Sequence, residues 1–373
     1  GFMIDTHKIN STITNTSVIT CAISKTRYKL VKKPPEKYIK SLQLDLFSQF
    51  VTNDKSEVSN TVEVWESIPK YFFTSTQVEK LRTKTGHADP YKMEFSYDGI
   101  AFSVKIQPAL IEQKGGGYKA CFPSVTEELV EEALKKFLTI QNHGIHDVNK
   151  AETWVRFSLS MIYRELKSRG RTRSRNEIKH AIEVMNKCNI SLFKDKKEIW
   201  SGAILQDLVT VGREEYLADT DAHHIGRLPL FISNAINRLE YRQFNYDRLM
   251  SCNEQLSRFI YKKLINRYRH ANLINNYHFM FSDLKNSGLL QQKRDIDNRR
   301  KVLSALDELK EKNIIARYET DDRKEGRAII DVKYVIFPSN QFISEQKAAN
   351  KRVSDNSEKQ PIDVFPKPMA KLK

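Results

Sequence analysis

Residues 293–337 read KRDIDNRRKVLSALDELKEKNIIARYETDDRKEGRAIIDVKYVIF, and the spacing of apolar positions changes once along them. Over about 293–312, Val302, Leu306 and Leu309 recur at helical intervals. Beyond that the chain reads as two extended runs, 314–319 and 327–337, around a charged turn at 320–326. Just upstream, Phe281-Ser282-Asp283-Leu284-Lys285 forms a short helix that Gly288 ends, after a longer helix over about 254–270 that buries Leu256, Phe259, Ile260 and Leu264. Helix, short turn, helix, then a β-hairpin is the winged-helix plan. Its third helix enters a major groove and its hairpin lies along the adjacent backbone.

The same order recurs nearer the N-terminus. Strands at 93–97 and 100–104 flank Asp98-Gly99, a two-residue hairpin signal, and Gly115-Gly116-Gly117 turns the chain into 118–122. Ser124 and Glu127 form a capping box for a helix with Val130, Leu134, Phe137 and Leu138 on one face. A second helix is expected over about 151–168, ended by Gly170. A third starts at Ser174 with Glu177 as capping partner and buries Ile178, Ala181, Ile182 and Met185. A two-stranded wing follows at 190–194 and 199–211, and the stretches 228–232 and 238–246 read as strands opening the second block. The expected fold is α+β: two tandem winged-helix domains with flexible N- and C-terminal tails. The flexible N-terminal segment spans 1–60, the first domain 61–215, the second 216–340, and a disordered tail 341–373.

The chain has 373 residues, and 62 Lys and Arg against 46 Asp and Glu give it a net charge of +16. That excess favours a polyanionic partner through steering and counterion release. No apolar run of about 20 residues, no basic helix with a broad apolar face and no secretion signal occurs, so a cytoplasmic protein with no membrane partner is expected. Cys21, Cys121, Cys188 and Cys252 are far apart, without zinc spacing, and read as reduced thiols.

The cations cluster where a winged helix meets DNA. Arg169, Arg171, Arg173 and Arg175 crowd the turn before the first block's third helix, and Lys179 and His180 lie opposite its apolar face. In the second block Lys293, Arg294, Arg299, Arg300 and Lys301 load the third helix; with Val302, Leu306 and Leu309 inward, Arg294, Asp297, Arg300 and Lys301 project outward. Arginine suits bidentate contacts with guanine edges and phosphates. Arg323, Lys324 and Arg327 at the wing tip suit phosphates. The expected DNA-binding set is therefore Arg171, Arg173, Arg175, Lys179, Lys293, Arg294, Asp297, Arg299, Arg300, Lys301, Arg323, Lys324 and Arg327. The competing reading is a set of solvated helix faces with internal pairs such as Asp295 with Arg299.

Signs of catalysis are missing. The glycine triplet lacks the spacing of a phosphate loop, and His223-His224 is a poor match to a nicking enzyme's metal site. His143 and His146 with Asp147 fit a loop as well as a metal. No nucleophile–base set stands out, so a non-enzymatic protein without cofactor or metal is expected.

One further motif narrows the reading. Gln43-Leu44-Asp45-Leu46-Phe47 spells the pentapeptide by which bacterial replication proteins dock on the sliding clamp, an amide for the pocket rim and two apolar side chains for its groove. Pro34-Pro35 before it and the polar run 52–57 after it suit an exposed tether; a short amphipathic segment entering a core is the alternative. Two winged helices, an arginine-loaded third helix in each and this pentapeptide resemble theta-type plasmid replication initiators, the RepA/TrfA-like group. The resemblance covers about residues 90–340 plus the motif, and the long N-terminal extension departs from the smaller members. It implies binding to iterons, the direct repeats of an origin, with two recognition helices in successive major grooves. It also implies bending of double-stranded DNA, strain on an A·T-rich segment, recruitment of the replicative helicase, DnaA and the clamp, and a homodimer through the first winged helix. A winged-helix transcriptional regulator or partition protein would instead bind a palindromic operator without touching the clamp. A nickase or primase would cleave or synthesise strands.

Overall fold

The computed structural model describes residues 57–140, 143–147, 149–210, 223–238 and 240–359. The pentapeptide Gln43–Phe47 lies outside them. The described chain opens with β1 (Val58–Thr61), α1 (Glu63–Ser67) and α2 (Ser75–Leu81). The hairpin β2 (Tyr91–Tyr97) and β3 (Ile100–Gln107) turns at Asp98 and Gly99, at φ of 52° and 73°, the left-handed pair that an Asp-Gly turn supplies. A second hairpin, β4 (Ala109–Glu112) and β5 (Tyr118–Cys121), leads into α3 (Val125–Leu138), started by the Ser124–Glu127 capping box.

The helix expected over 151–168 is two elements. After β6 (Gly144–Asp147), β7 (Glu152–Phe157) buries Thr153, Val155 and Phe157 and leaves Arg156 exposed, a period of two. Ser158 then caps α4 (Leu159–Ser168), its Oγ accepting from the Met161 N–H at 3.1 Å. The third helix, α5 (Arg175–Lys187), carries its Ser174–Glu177 box and runs into a wing of β8 (Asn189–Lys194) and β9 (Lys197–Gly202). That wing joins the first hairpin in a sheet ordered β2-β3-β8-β9.

The expected wing strand over 199–211 breaks at the buried Ile204 and Leu205. Its far part, β10 (Gln206–Val209), pairs instead with β11 (His224–Arg227), which also pairs with β7, in a sheet ordered β10-β11-β7-β6. The boundary expected at residue 215 lies outside the described residues, and the strands on either side of it, β10 and β11, pair with each other in one sheet of the first module. Residues 228–232, expected as strand, enter α6 (Leu230–Asn237), because Pro229 presets a helix start and Ile232, Ala235 and Ile236 bury at helical spacing. Next, β12 (Arg242–Asn245) pairs antiparallel with β1, so the end of the segment expected as flexible over 1–60 is an ordered strand.

The second module follows as α7 (Tyr246–Ser251), α8 (Gln255–Arg267), β13 (Tyr277–Met280), α9 (Phe281–Lys285), α10 (Asp295–Glu311), β14 (Ile315–Glu325) and β15 (Ala328–Pro338). The three strands order β13-β15-β14, which completes a winged helix with a strand between its first and second helices. The disordered tail expected over 341–373 is corrected by α11 (Asn340–Lys359). Phe342, Ile343, Gln346 and Ala349 bury along one side of it, and Arg242 Nη2 donates to Gln346 Oε1 at 2.6 Å and Asn350 Oδ1 at 2.9 Å. Polar composition hid a narrow helical stripe. The apolar core runs unbroken from Val62 to Ile343, through both modules. Among the described residues no helix is long and apolar enough to cross a membrane, and Cys121, Cys188 and Cys252 are free and buried.

Candidate nucleic-acid interface

The second module presents α10. Asn298, Val302, Ala305, Leu306 and Leu309 face inward, as the 3.6-residue period requires. Arg294 and Arg300 stand outward at 73% and 69% exposure. Asp297 lies between them. It accepts from Arg294 Nε at 2.8 Å and Nη2 at 3.2 Å, and from Arg300 Nη1 at 3.3 Å. One carboxylate thus holds two guanidinium forks side by side while their remaining N–H groups face solvent. Lys293 is exposed beside them and Arg299 half-buried. Asp295 pairs with Lys285 at 2.8 Å.

Lys301 departs from the expected outward set. Its Nζ turns back to donate to Leu289 O at 2.8 Å, and burial lowers its pKa. Two residues on this helix were missed by sequence reasoning. Buried Asn298 closes the turn before α10: its Nδ2 donates to Gln292 O and its Oδ1 accepts from Gln292 N–H, both at 2.9 Å. Ile296, 44% exposed at the same end, leaves an apolar side chain on the outer surface beside Arg294 and Asp297. Its unpartnered place in the helical wheel was the available signal.

Arg323, Lys324 and Arg327 lie exposed on the wing. The wing as a whole is neutral, since Arg317, Arg323, Lys324, Arg327 and Lys333 face Glu319, Asp321, Asp322, Glu325 and Asp331. Strand register sets Arg323 opposite Asp331 and Asp321 opposite Lys333. Lys324 stands opposite Ile329 rather than an acid, and Arg327 sits in the turn itself.

The first module keeps a smaller basic surface than its sequence suggests. Arg171 is an inter-module strut: Nε donates to Met250 O and Nη1 to Asn253 Oδ1, both at 2.8 Å. Arg173 Nε donates to Thr126 Oγ1 at 3.1 Å, and Arg169 pairs with Glu165 and Asp247 at 3.1 and 2.5 Å. All but Glu165, one turn back on α4, lie tens of residues away, where a charge count cannot see them. Arg175 remains exposed over the Tyr163 ring at 4.9 Å, and Lys179 and His180 are exposed on α5. The wing tip adds Lys194, Lys196 and Lys197, with Asp195 and Lys196 at φ of 50° and 64° turning the hairpin.

No metal site competes for this face: among the described residues no group of His, Cys, Asp and Glu can hold an ion. His146 is buried, hydrogen-bonded to Thr153 Oγ1 at 2.8 Å and Asn237 Oδ1 at 2.7 Å, and burial lowers its pKa.

No family model and no curated protein matches this chain. Among solved structures it is similar to RctB domains 2-3, at 14% identity and a TM-score of 0.42, covering 74% of this chain and 100% of that one. A selenomethionine derivative of the same domains gives 14% and 0.42, over 69% and 93%. The Pi initiator protein in complex with iteron DNA gives 15% and 0.35, over 58% and 91%.

Proposed function

We propose that this chain initiates DNA replication: it binds direct repeats in duplex DNA through its two winged helices and brings replisome components to them, without catalysing a reaction itself, in the cytoplasm. The observation that carries the reading is the outward face of α10, where Arg294 and Arg300 flank Asp297 and stay exposed beside Lys293. Had these arginines been buried against carboxylates, the DNA reading would have had no surface to act through. Direct repeats fit better than a palindrome. The two modules are unlike in sheet topology and stand in one chain, so a single copy is an asymmetric, directional reader without a two-fold axis.

The step from DNA binding to initiation rests on Gln43-Leu44-Asp45-Leu46-Phe47, proposed here as a docking peptide for the sliding clamp. Opening of an A·T-rich segment, where unstacking is cheap, recruitment of helicase and DnaA, and a dimer through the first winged helix belong to the same proposal. Two measurements test it. Selection from random duplexes should return a two-part, non-palindromic site. Leu46→Ala with Phe47→Ala should abolish capture of purified clamp while leaving the DNA dissociation constant unchanged. A palindromic site bound with no clamp contact would point to a transcriptional regulator instead.

A further inference from the structure

We infer that a ladder of buried ion pairs between α3 and α8 locks the two recognition helices into one rigid reader, so that the separation of the two half-sites is itself a specificity determinant. The inference rests on the DNA-reading proposal above and adds positioning residues to it.

Glu128 and Glu132 stand one turn apart on α3, and Arg258 and Lys262 stand one turn apart on α8. The rungs match. Arg258, 1% exposed, donates through Nε and Nη2 to the two Glu128 oxygens at 3.0 and 2.9 Å, a bidentate fork. Its Nη1 donates to Cys252 O at 2.9 Å. Lys262 Nζ donates to Glu132, and to Glu66 of α1 at 2.8 Å. Lys135 closes the network on Glu66 and Glu132 at 2.5 and 2.6 Å. Burial alone would raise the Glu66 pKa, yet Lys135, Lys262 and Lys70 around it hold its carboxyl well below the usual carboxylate range.

Apolar burial alone sets the register between two helices weakly, because the hydrophobic effect has no direction. Buried ion pairs cannot slide: moving a rung by one hydrogen-bond length strands a charge in a low-dielectric interior. Two hydrogen bonds outside the ladder tie the modules together nearer α10. Gln255 Nε2 donates to Tyr71 O at 2.7 Å, and Gln291, in the turn before α10, donates through Nε2 to Phe72 O at 3.2 Å. The start of the second recognition helix is thereby referenced to the first module. One added base pair shifts a half-site by about 3.4 Å along the duplex and turns it by about a tenth of a rotation, more than this geometry absorbs.

The test starts from the two-part site selected above, with its spacer changed by one and two base pairs in each direction. The unmodified protein should lose at least about tenfold in affinity per base pair. Glu128→Leu with Arg258→Met removes both charges of one rung and leaves neither unpaired; it should flatten the profile to within about threefold for one base pair. Glu128→Arg with Arg258→Glu should restore a peak. Spin labels at Asn176→Cys and Lys310→Cys, in a Cys21→Ser background, should report one narrow distance in the free protein, unchanged by DNA. A flat profile for the unmodified protein, an equally sharp one for the neutralised rung, or a broad distance distribution would overturn the inference. Failure to recover any two-part site would overturn the DNA-reading proposal itself, whereas a two-part site with a flat profile would remove only the rigid reader.

Discussion

Asp297 decides how the cations of α10 are presented. It lies in the first turn, where the helix dipole favours an acid, and it orients two arginines. Arg300→Ala should cost about 1–3 kcal/mol of discrimination at one base pair. Asp297→Ala should act the other way on bulk binding, tightening it to random duplex while narrowing the gap to the selected site; competition titrations separate the two, and a widened gap would contradict the orienting role of Asp297. Lys136 gives a pH prediction. Burial lowers its pKa from 10.5 to about 8, against Glu165 and Asp247, which raise it, while its Nζ donates to Val58 O at 2.5 Å. Below pH 8 both folded and unfolded states hold the proton, and the cost of the buried charge is present in full. Between the folded and unfolded values the folded state sheds a proton that the unfolded state keeps, so stability rises with pH. Lys136→Met should therefore gain on the unmodified protein by about 1–3 kcal/mol more at pH 7 than at pH 10. Urea midpoints at the two pH values check this, and a difference that does not change with pH would contradict it.

Among the elements, the turn before α10 is tightly constrained. Gly288 has φ of 74°, and a Cβ there would lie 2.7 Å from the Phe72 ring. Gly99 has φ of 73° with open space around it. Gly288→Ala should cost about 2–4 kcal/mol, left-handed strain plus a clash, whereas Gly99→Ala should cost only about 1 kcal/mol from backbone strain. Denaturant unfolding of the pair isolates the clash. Ending the chain at residue 339 would empty the slot of Phe342 and strip Arg242 of Gln346 and Asn350. It should cost about 3–5 kcal/mol or more, read as a fall in the thermal midpoint. These elements differ in how far the sequence revealed them. The Ser124–Glu127 and Ser174–Glu177 boxes, the Asp98-Gly99 turn and the short helix Phe281–Lys285 were legible, because each is set by neighbours within four residues. The β7–α4 junction was not, since Val155, Leu159 and Ile162 fit both a strand-then-helix and a single helix until Ser158 is seen to cap. Nor was α11, whose buried stripe gains meaning only from what it lies against.

For the whole molecule, the log–log slope of duplex binding against salt should be about −9 if the ten exposed cations Lys293, Arg294, Arg300, Lys324, Arg327, Arg175, Lys179, Lys194, Lys196 and Lys197 each meet a phosphate. Substituting Arg171, Arg173 or Lys301 by alanine should leave that slope unchanged and lower stability instead, since their donors serve Met250, Thr126 and Leu289. A slope that shallows with Arg171→Ala would show the strut to be a DNA contact. By itself the sequence determined the winged-helix order of the second block, the excess of positive charge, and which turn of which helix carries the arginines. All three depend on local periodicity and composition. Only the tertiary structure decided which arginines are free to act. It also joined residues 224–227 to the first module's sheet, and it bound α3 to α8 through charges 130 positions apart. Pairing at such distances is selected by the three-dimensional fit of whole surfaces, which no stretch of neighbouring residues encodes alone.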